Sequence, residues 1–223
     1  MFTTVASLLP AETRRNLMRD VARLRWEDGL NTAGAARTRK RNEQLTLQSA
    51  GARPLLQQLA QRVLKHAEVC AFAEPKRMSR ILLGRYDKGC RYGPHNDAPI
   101  TSGGGQGQGR ADVSFTIFLA EPDTYEGGSL CLHSPFGGNR IKGAAGSAVL
   151  YDTGLMHEVE EVTDGQRVVC VGWIESWIQD PSARAVLQDL GHAIRAAAEI
   201  DPEGEETVRL RRIRGNLVRR WAK

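Results

Sequence analysis

Cysteine is scarce in this chain, and what there is shows no pairing pattern. Cys70, Cys90, Cys131 and Cys170 are the only four among 223 residues. None stands in a C-x-x-C pair, which excludes a thioredoxin-like motif and the usual zinc spacings. Free, reduced thiols in a cytoplasmic protein are expected. Long apolar runs are missing too. Nothing approaches the ~20 residues that a transmembrane helix needs, and Arg14, Arg15 and Asp20 interrupt any signal-like stretch near the N-terminus. Charge of one sign is not in strong excess. The net charge of +5 argues against a dedicated nucleic-acid binder. The glycine-rich stretch Ser102–Gly109 is followed by no Lys-Ser/Thr pair and opens no helix, so it is no phosphate loop. It reads as a mobile loop at the rim of a cleft, placed to act as a lid.

The 41% apolar share suffices for one core with additions. Pro10 to Trp26 has helical spacing, with Leu17, Val21 and Leu24 on one face and Asp28-Gly29 as its stop. Asn31 to Gln44 reads as a loop carrying the basic run Arg37 to Arg41, either solvated or in contact with an anion or substrate. Ala52 to Ala67 forms a second helix with Pro54 in its first turn. From Ser79 to Ser176 the pattern turns to strands and turns. Val113, Phe115, Ile117 and Leu119 alternate with Ser114, Thr116 and Phe118, so that strand lies between two environments. Phe136 to Asn139 reads as a turn. Arg167 to Ile174 is β-branched and apolar, as in a central strand.

About eight short strands without intervening helices predict an antiparallel jelly roll of the cupin kind, a double-stranded β-helix, and exclude a parallel α/β sheet. The fold class is therefore mainly β with flanking helices. The expected regions are an N-terminal helical region (1–77), the jelly roll (78–178) and a C-terminal helical extension (179–223). In that extension Glu205 to Trp221 has acidic residues first and arginines last, which suits the helix dipole. Its basic face reads as the outer side of a packing helix rather than a nucleic-acid contact.

Within the strand region stands Tyr92-Gly93-Pro94-His95-Asn96-Asp97. In an extended strand residues i and i+2 share a face, so His95 and Asp97 could grip one metal ion. A second His would complete the two-His, one-carboxylate triad of non-haem Fe(II) oxygenases. Among the five histidines, His66 and His192 lie in helices and His133 precedes a Ser-Pro turn. His157 alone has the position of a distal ligand. Arg167 stands ten residues later, in an apolar strand where an unpaired cation would be costly. It either pairs with Asp164 or Glu161, or holds the far carboxylate of 2-oxoglutarate through its two-pronged fork.

These features, with TRKRNEQL, GRYDKGCRYGPHND, RADVSFTIFLAEPDTYEGGSL, GSAVLYDTGLMHEVEEVTDGQRV and NLVRRW, are similar to the Fe(II)/2-oxoglutarate dioxygenases of prolyl/lysyl hydroxylase type, in particular the bacterial PKHD-type hydroxylases. The resemblance runs from about residue 10 to the C-terminus. It implies iron ligands at His95, Asp97 and His157, and 2-oxoglutarate held by Arg167 with Tyr86 and Ser114 as hydrogen-bond partners. Arg39, Arg41 and Asn42 become substrate-side candidates. Many such enzymes carry Ser two residues after the Arg; Val169 stands there, so another hydroxyl must assist, Tyr86 first. Demethylases of alkylated nucleic acid resemble R-x5-R at the end, but the sixth residue after Arg167 is Trp173, so nucleic acid is not the expected substrate.

The resemblance thus implies a hydroxylase using Fe(II), 2-oxoglutarate and O2, with ascorbate as reductant, acting on an unidentified small molecule or peptide. The apolar faces of the flanking helices would support a homo-oligomer. Two other readings stay open. One is a cupin metalloprotein with a co-substrate-independent reaction. The other is a non-catalytic binding protein that uses the basic C-terminal helix.

Overall fold

The computed structural model of the chain describes residues 1–32, 39–101, 108–134 and 137–223. A first strand, β1 (Phe2–Val5), leads to α1 (Ala11–Val21), then to the short strands β2 (Glu27–Asp28), β3 (Lys40–Arg41) and β4 (Glu43–Leu45). Two helices follow, α2 (Ala52–Lys65) and α3 (Ala67–Ala73). The strand region then runs through β5 (Pro75–Tyr86), β6 (Arg91–His95), β7 (Ile100–Thr101), β8 (Gly109–Arg110), β9 (Val113–Phe118) and β10 (Tyr125–Gly127). It continues with β11 (Leu130–Ser134), β12 (Gly137–Ile141), β13 (Ala148–Asp152), β14 (His157–Val159), β15 (Val162–Gly165) and β16 (Arg167–Ser176). Helices α4 (Pro181–Ile200) and α5 (Glu205–Trp221) close the chain.

Two sheets form the body, a major one in the order β1-β13-β9-β16-β5-β4-β2 and a minor one in the order β12-β11-β14-β6-β3. Every pairing is antiparallel. The central eight strands divide four and four, and the chain passes between the sheets as the expected jelly roll requires. Strand alternation sets the layers. Val113, Phe115, Ile117 and Leu119 of β9 and its extension join Ala148, Leu150, Val168 and Cys170 in a core under α1, α2 and α3. The other face of the same strands, with Phe118, Val149, Tyr151 and Val169, packs against Leu130, Leu132 and Val159 of the minor sheet. The major sheet is thus buried on both sides, and the gap between the sheets is where a site can form.

The structure departs from the sequence reading in places. Helix α1 stops at Val21, short of Trp26, and Leu24 and Trp26 fold back onto the core instead. The expected loop before Gln44 supplies two strands, because Lys40 and Arg41 pair with Tyr92 and Arg91 while Glu43, Gln44 and Leu45 pair with β5. The segment 1–77 therefore adds strands to both sheets as well as helices. The second helix breaks at His66, whose extended backbone lets α3 restart in a new direction. Gly137 to Asn139 belong to β12 rather than to a turn, and Phe136 lies outside the described residues. So do residues 102–107 of the glycine-rich stretch, while Gly109 begins β8. Helices α4 and α5 turn apolar faces to each other, with Ile178, Ala183 and Leu187 against Leu217, Val218 and Trp221. Several α5 arginines are tied up in ion pairs, Arg214 with Glu74 and Arg209 with Glu205. No described helix is long and apolar enough to cross a membrane.

Candidate metal and co-substrate site

Between the sheets lies a cavity of about 590 Å³ that takes in His95, Asp97, His157, Tyr86 and Arg167. His95 ends β6 and stands opposite His157, the first residue of β14. The two rings lie 4.2 Å apart, centroid to centroid. Asp97 follows just past the strand end, so the shared face comes from a turn rather than from strand alternation. Its carboxylate reaches within 3.8 Å of His95 Nε2 and 3.6 Å of His157 Nε2. One ligand atom from each residue lies within 4.8 Å of the others.

The surroundings prepare these three groups for a cation. The Nδ1 of His95 donates to the Gly93 carbonyl and that of His157 to the Leu155 carbonyl, both at 2.9 Å. Each bond fixes the tautomer that leaves Nε2 as a bare acceptor. Burial, reinforced by the neighbouring His157, brings the His95 imidazole down to about 4, so at neutral pH its Nε2 carries no proton to displace. Tyr92 stacks on His95 at 3.6 Å and Tyr151 meets His157 edge-on. Ser114 donates to Asp97 Oδ2 at 2.8 Å and contacts the Thr153 hydroxyl at 3.0 Å. Two imidazoles and one carboxylate with open positions suit a non-haem Fe(II) ion.

Arg167 opens β16 opposite Tyr86 of β5. It is 1% exposed, and its Nε and Nη1 have no hydrogen-bond partner. Among the described residues no carboxylate pairs with it, because Glu161 takes Arg91 at 2.7 Å. Its guanidinium lies 4.9 Å from the Tyr86 ring centre. Burial raises the Tyr86 and Tyr125 hydroxyls above their ordinary range, with Arg167 opposing, so both stand as neutral O–H donors near it. The Gly127-Gly128 pair makes the room. Gly128 has φ of +64°, and a Cβ there would come 3.1 Å from Arg167 Cδ and 3.2 Å from the Tyr125 ring. An orphaned buried guanidinium flanked by two phenols fits a carboxylate ligand.

Comparison with known proteins agrees with this geometry. Residues 81–175 match the model of the 2OG-Fe(II) oxygenase superfamily. A PKHD-type hydroxylase of Maricaulis maris is 39% identical over 225 aligned positions, covering 100% of this chain and 99% of the relative. The chain belongs to the PKHD-type hydroxylases. Members of this family are Fe(II)- and 2-oxoglutarate-dependent oxidoreductases. Among solved structures, a Pseudomonas putida prolyl-4-hydroxylase superposes with TM-score 0.55 at 20% identity, covering 78% of this chain and 92% of that one. HygX from Streptomyces hygroscopicus, with nickel, 2-oxoglutarate and hygromycin B bound, superposes with TM-score 0.54 at 16% identity, covering 79% and 84%. At these identities the two structures speak for the jelly-roll fold.

In this PKHD-type chain the expected site residues divide. His95, Asp97, His157, Arg167 and Tyr86 converge on one cavity. Ser114 also faces it, but at the metal end. It stands opposite Trp173 in the register of β9 and β16, about 20 Å along the strand from Arg167 at roughly 3.3 Å per residue. Its hydroxyl donates to Asp97 Oδ2. Arg39 lines the cavity, and its Nη1 donates to the Pro94 carbonyl at 2.9 Å. Arg41 points the other way on β3 and is exposed. Asn42 is buried, with its side chain beside the Tyr86 hydroxyl. It is not among the residues that line the cavity.

The sequence reading did not single out Arg80, Tyr151 and Trp173, which line the cavity, or Tyr125 beside Arg167. Lys40 sits inside the basic run yet is 8% exposed, with its ammonium 5.1 Å from the Tyr92 ring centre. Alternation along β5 was the available signal for Arg80, which shares a face with Leu82 and Tyr86.

Proposed function

We propose that His95, Asp97 and His157 hold Fe(II), that Arg167 with Tyr86 and Tyr125 holds the far carboxylate of 2-oxoglutarate, and that the enzyme hydroxylates a C–H bond of an organic substrate. The observation that carries this is Arg167, a buried, unpaired cation in the same cavity as the His-Asp-His cluster. When bound, Fe(II) and 2-oxoglutarate supply the activation of O2, the co-substrate leaving as succinate and CO2.

The chain's own residues prepare that chemistry. The carbonyls of Gly93 and Leu155 orient both imidazoles. Ser114 and Thr153 fix the Asp97 carboxylate. Tyr92, Tyr151, Leu82 and Val159 wall the cavity and exclude water. Ascorbate serves as the reductant that keeps the metal ferrous, and a small molecule or peptide enters from the side of Arg39 and Met156. A co-substrate-independent metalloenzyme on this fold would leave Arg167 without a purpose.

Anaerobic addition of Fe(II) and 2-oxoglutarate should produce the weak visible charge-transfer band of the chelate. Asp97→Ala and His157→Ala should abolish it. A wild type without the band, or variants that keep it, would refute the assignment.

A further inference from the structure

The cavity carries more positive charge than this reaction uses. Among the described residues Arg39, Lys40, Arg80 and Arg167 line it, against the single carboxylate of Asp97. Asp97 is committed to the metal cluster and Arg167 to the co-substrate. Arg80 is left over, and its setting is unusual. It projects from β5 on the face shared with Leu82 and Tyr86, opposite Trp173 of β16. Its guanidinium lies 5.9 Å from the Trp173 ring centre, and no carboxylate among the described residues pairs with it. The Trp173 indole N–H is buried and has no acceptor. Indole N–H is a donor only, so nothing but an incoming acceptor can satisfy it.

Lys40 stands near enough to feel Arg80. Burial first, and the Arg80 charge second, bring its ammonium down to about 8. Burial likewise works against the charge on Arg80 itself. Like charges gathered in a partly dry cavity are unfavourable until an anion joins them. The available donors are a flat fork and one N–H beside it, the pattern that a carboxylate accepts.

Resting on the 2-oxoglutarate reading above, we propose that Arg80 and the Trp173 indole N–H form a second anion subsite in this cavity, and that the substrate to be hydroxylated carries a carboxylate. The substrate carboxylate docks on Arg80 and Trp173, Lys40 adds its charge, and the rest of the molecule extends toward His95, Asp97 and His157. Arg80 and Trp173 are then specificity determinants, and a neutral or cationic analogue is rejected because it leaves both donors unmet.

The test is calorimetric, with Ni(II) and saturating 2-oxoglutarate in place so that Arg167 is occupied. Benzoate and benzamide are titrated as a matched pair. Benzoate should bind at millimolar concentration and benzamide should give no heat. Arg80→Gln should weaken benzoate by about tenfold or more, as loss of one partner of a charged pair does. Arg80→Lys and Trp173→Phe should each weaken it less. 2-Oxoglutarate affinity should stay at the wild-type value in all three. If Arg80→Gln does not fold, the other two variants carry the test. Equal binding of the two probes, no heat from benzoate at millimolar concentration, or benzoate binding indifferent to the substitutions would overturn the subsite. Failure of 2-oxoglutarate to bind wild type would instead overturn the Arg167 reading, and the subsite would then be judged from the loss of benzoate binding in the Arg80 and Trp173 variants alone, since benzoate held at Arg167 is indifferent to them.

Discussion

Arg167 and Arg184 are each 1% exposed, yet the chain treats them in opposite ways. Arg184, in the first turn of α4, gives one nitrogen to Asp152 at 2.5 Å and another to the Ile178 and Gln179 carbonyls at 2.9 Å. Only its Nε lacks a partner. It pins the C-terminal helices to β13, and every element of the joint belongs to the protein. Arg167 has two nitrogens without partners and only phenols beside it. A buried cation can be answered from within, which makes a structural joint, or left for a visitor, which makes a binding site. Burial does not distinguish the two; the presence of an acid does.

Four substitutions and one modification test that contrast, from the largest effect to the smallest. Asp97→Ala should remove 2-oxoglutarate-dependent succinate release altogether while the melting temperature holds, because the lost carboxylate serves the metal rather than the fold. Arg184→Leu should do the reverse. Loss of one partner of a buried pair costs about 3 kcal/mol, which in a chain of this size lowers Tm by roughly 10 °C, with 2-oxoglutarate affinity unchanged in the folded protein. Arg167→Met should raise the 2-oxoglutarate dissociation constant about 100-fold, measured calorimetrically. It should leave the ligand-free Tm unchanged or higher, since an unpaired buried charge is gone. A fall in ligand-free Tm as deep as that of Arg184→Leu would erase the distinction.

Ser114→Ala should weaken metal binding about tenfold, as expected for a group that orients a ligand, and leave 2-oxoglutarate affinity at fixed metal occupancy almost untouched. The smallest effect concerns Cys131. Burial, aided by Glu160, pushes its thiol up to about 11. Its alkylation in the folded protein should therefore climb steadily between pH 8 and about 11, as the thiolate fraction does. The folded value lies above the unfolded one, so the group costs stability as pH rises past its unfolded value and none below it. Fast labelling of Cys131 near pH 8 would contradict this.

Much of the fold was legible because strand alternation is strict. The two faces of β9 could be read residue by residue, and the helix Glu205–Trp221 could be bounded by its breaker and its charge order. What escaped was whatever depends on a distant partner. Strand β1 exists because Phe2 to Val5 pair with β13, and β3 because Lys40 and Arg41 meet β6; four residues or fewer carry no periodicity of their own. The site followed the same rule. His95, Asp97, His157 and Arg167 could be found from residue type and order. The hydrogen bond from Ser114 to Asp97 could not be read that way, since it depends on which residue of β16 Ser114 faces. Arg80 and Trp173 stayed hidden because a strand Arg and a strand Trp look ordinary until the register sets them side by side.

The pairing of His95 with His157 has one more consequence. Strand β14 is three residues long and slips its register between His157 and Val159 against β6. A slip of one residue turns every side chain of a strand to the opposite face, which would aim His157 away from Asp97. On the proposed assignment, metal uptake therefore requires this register of β14 against β6, so the fraction of chains able to take up metal would report how many have formed it.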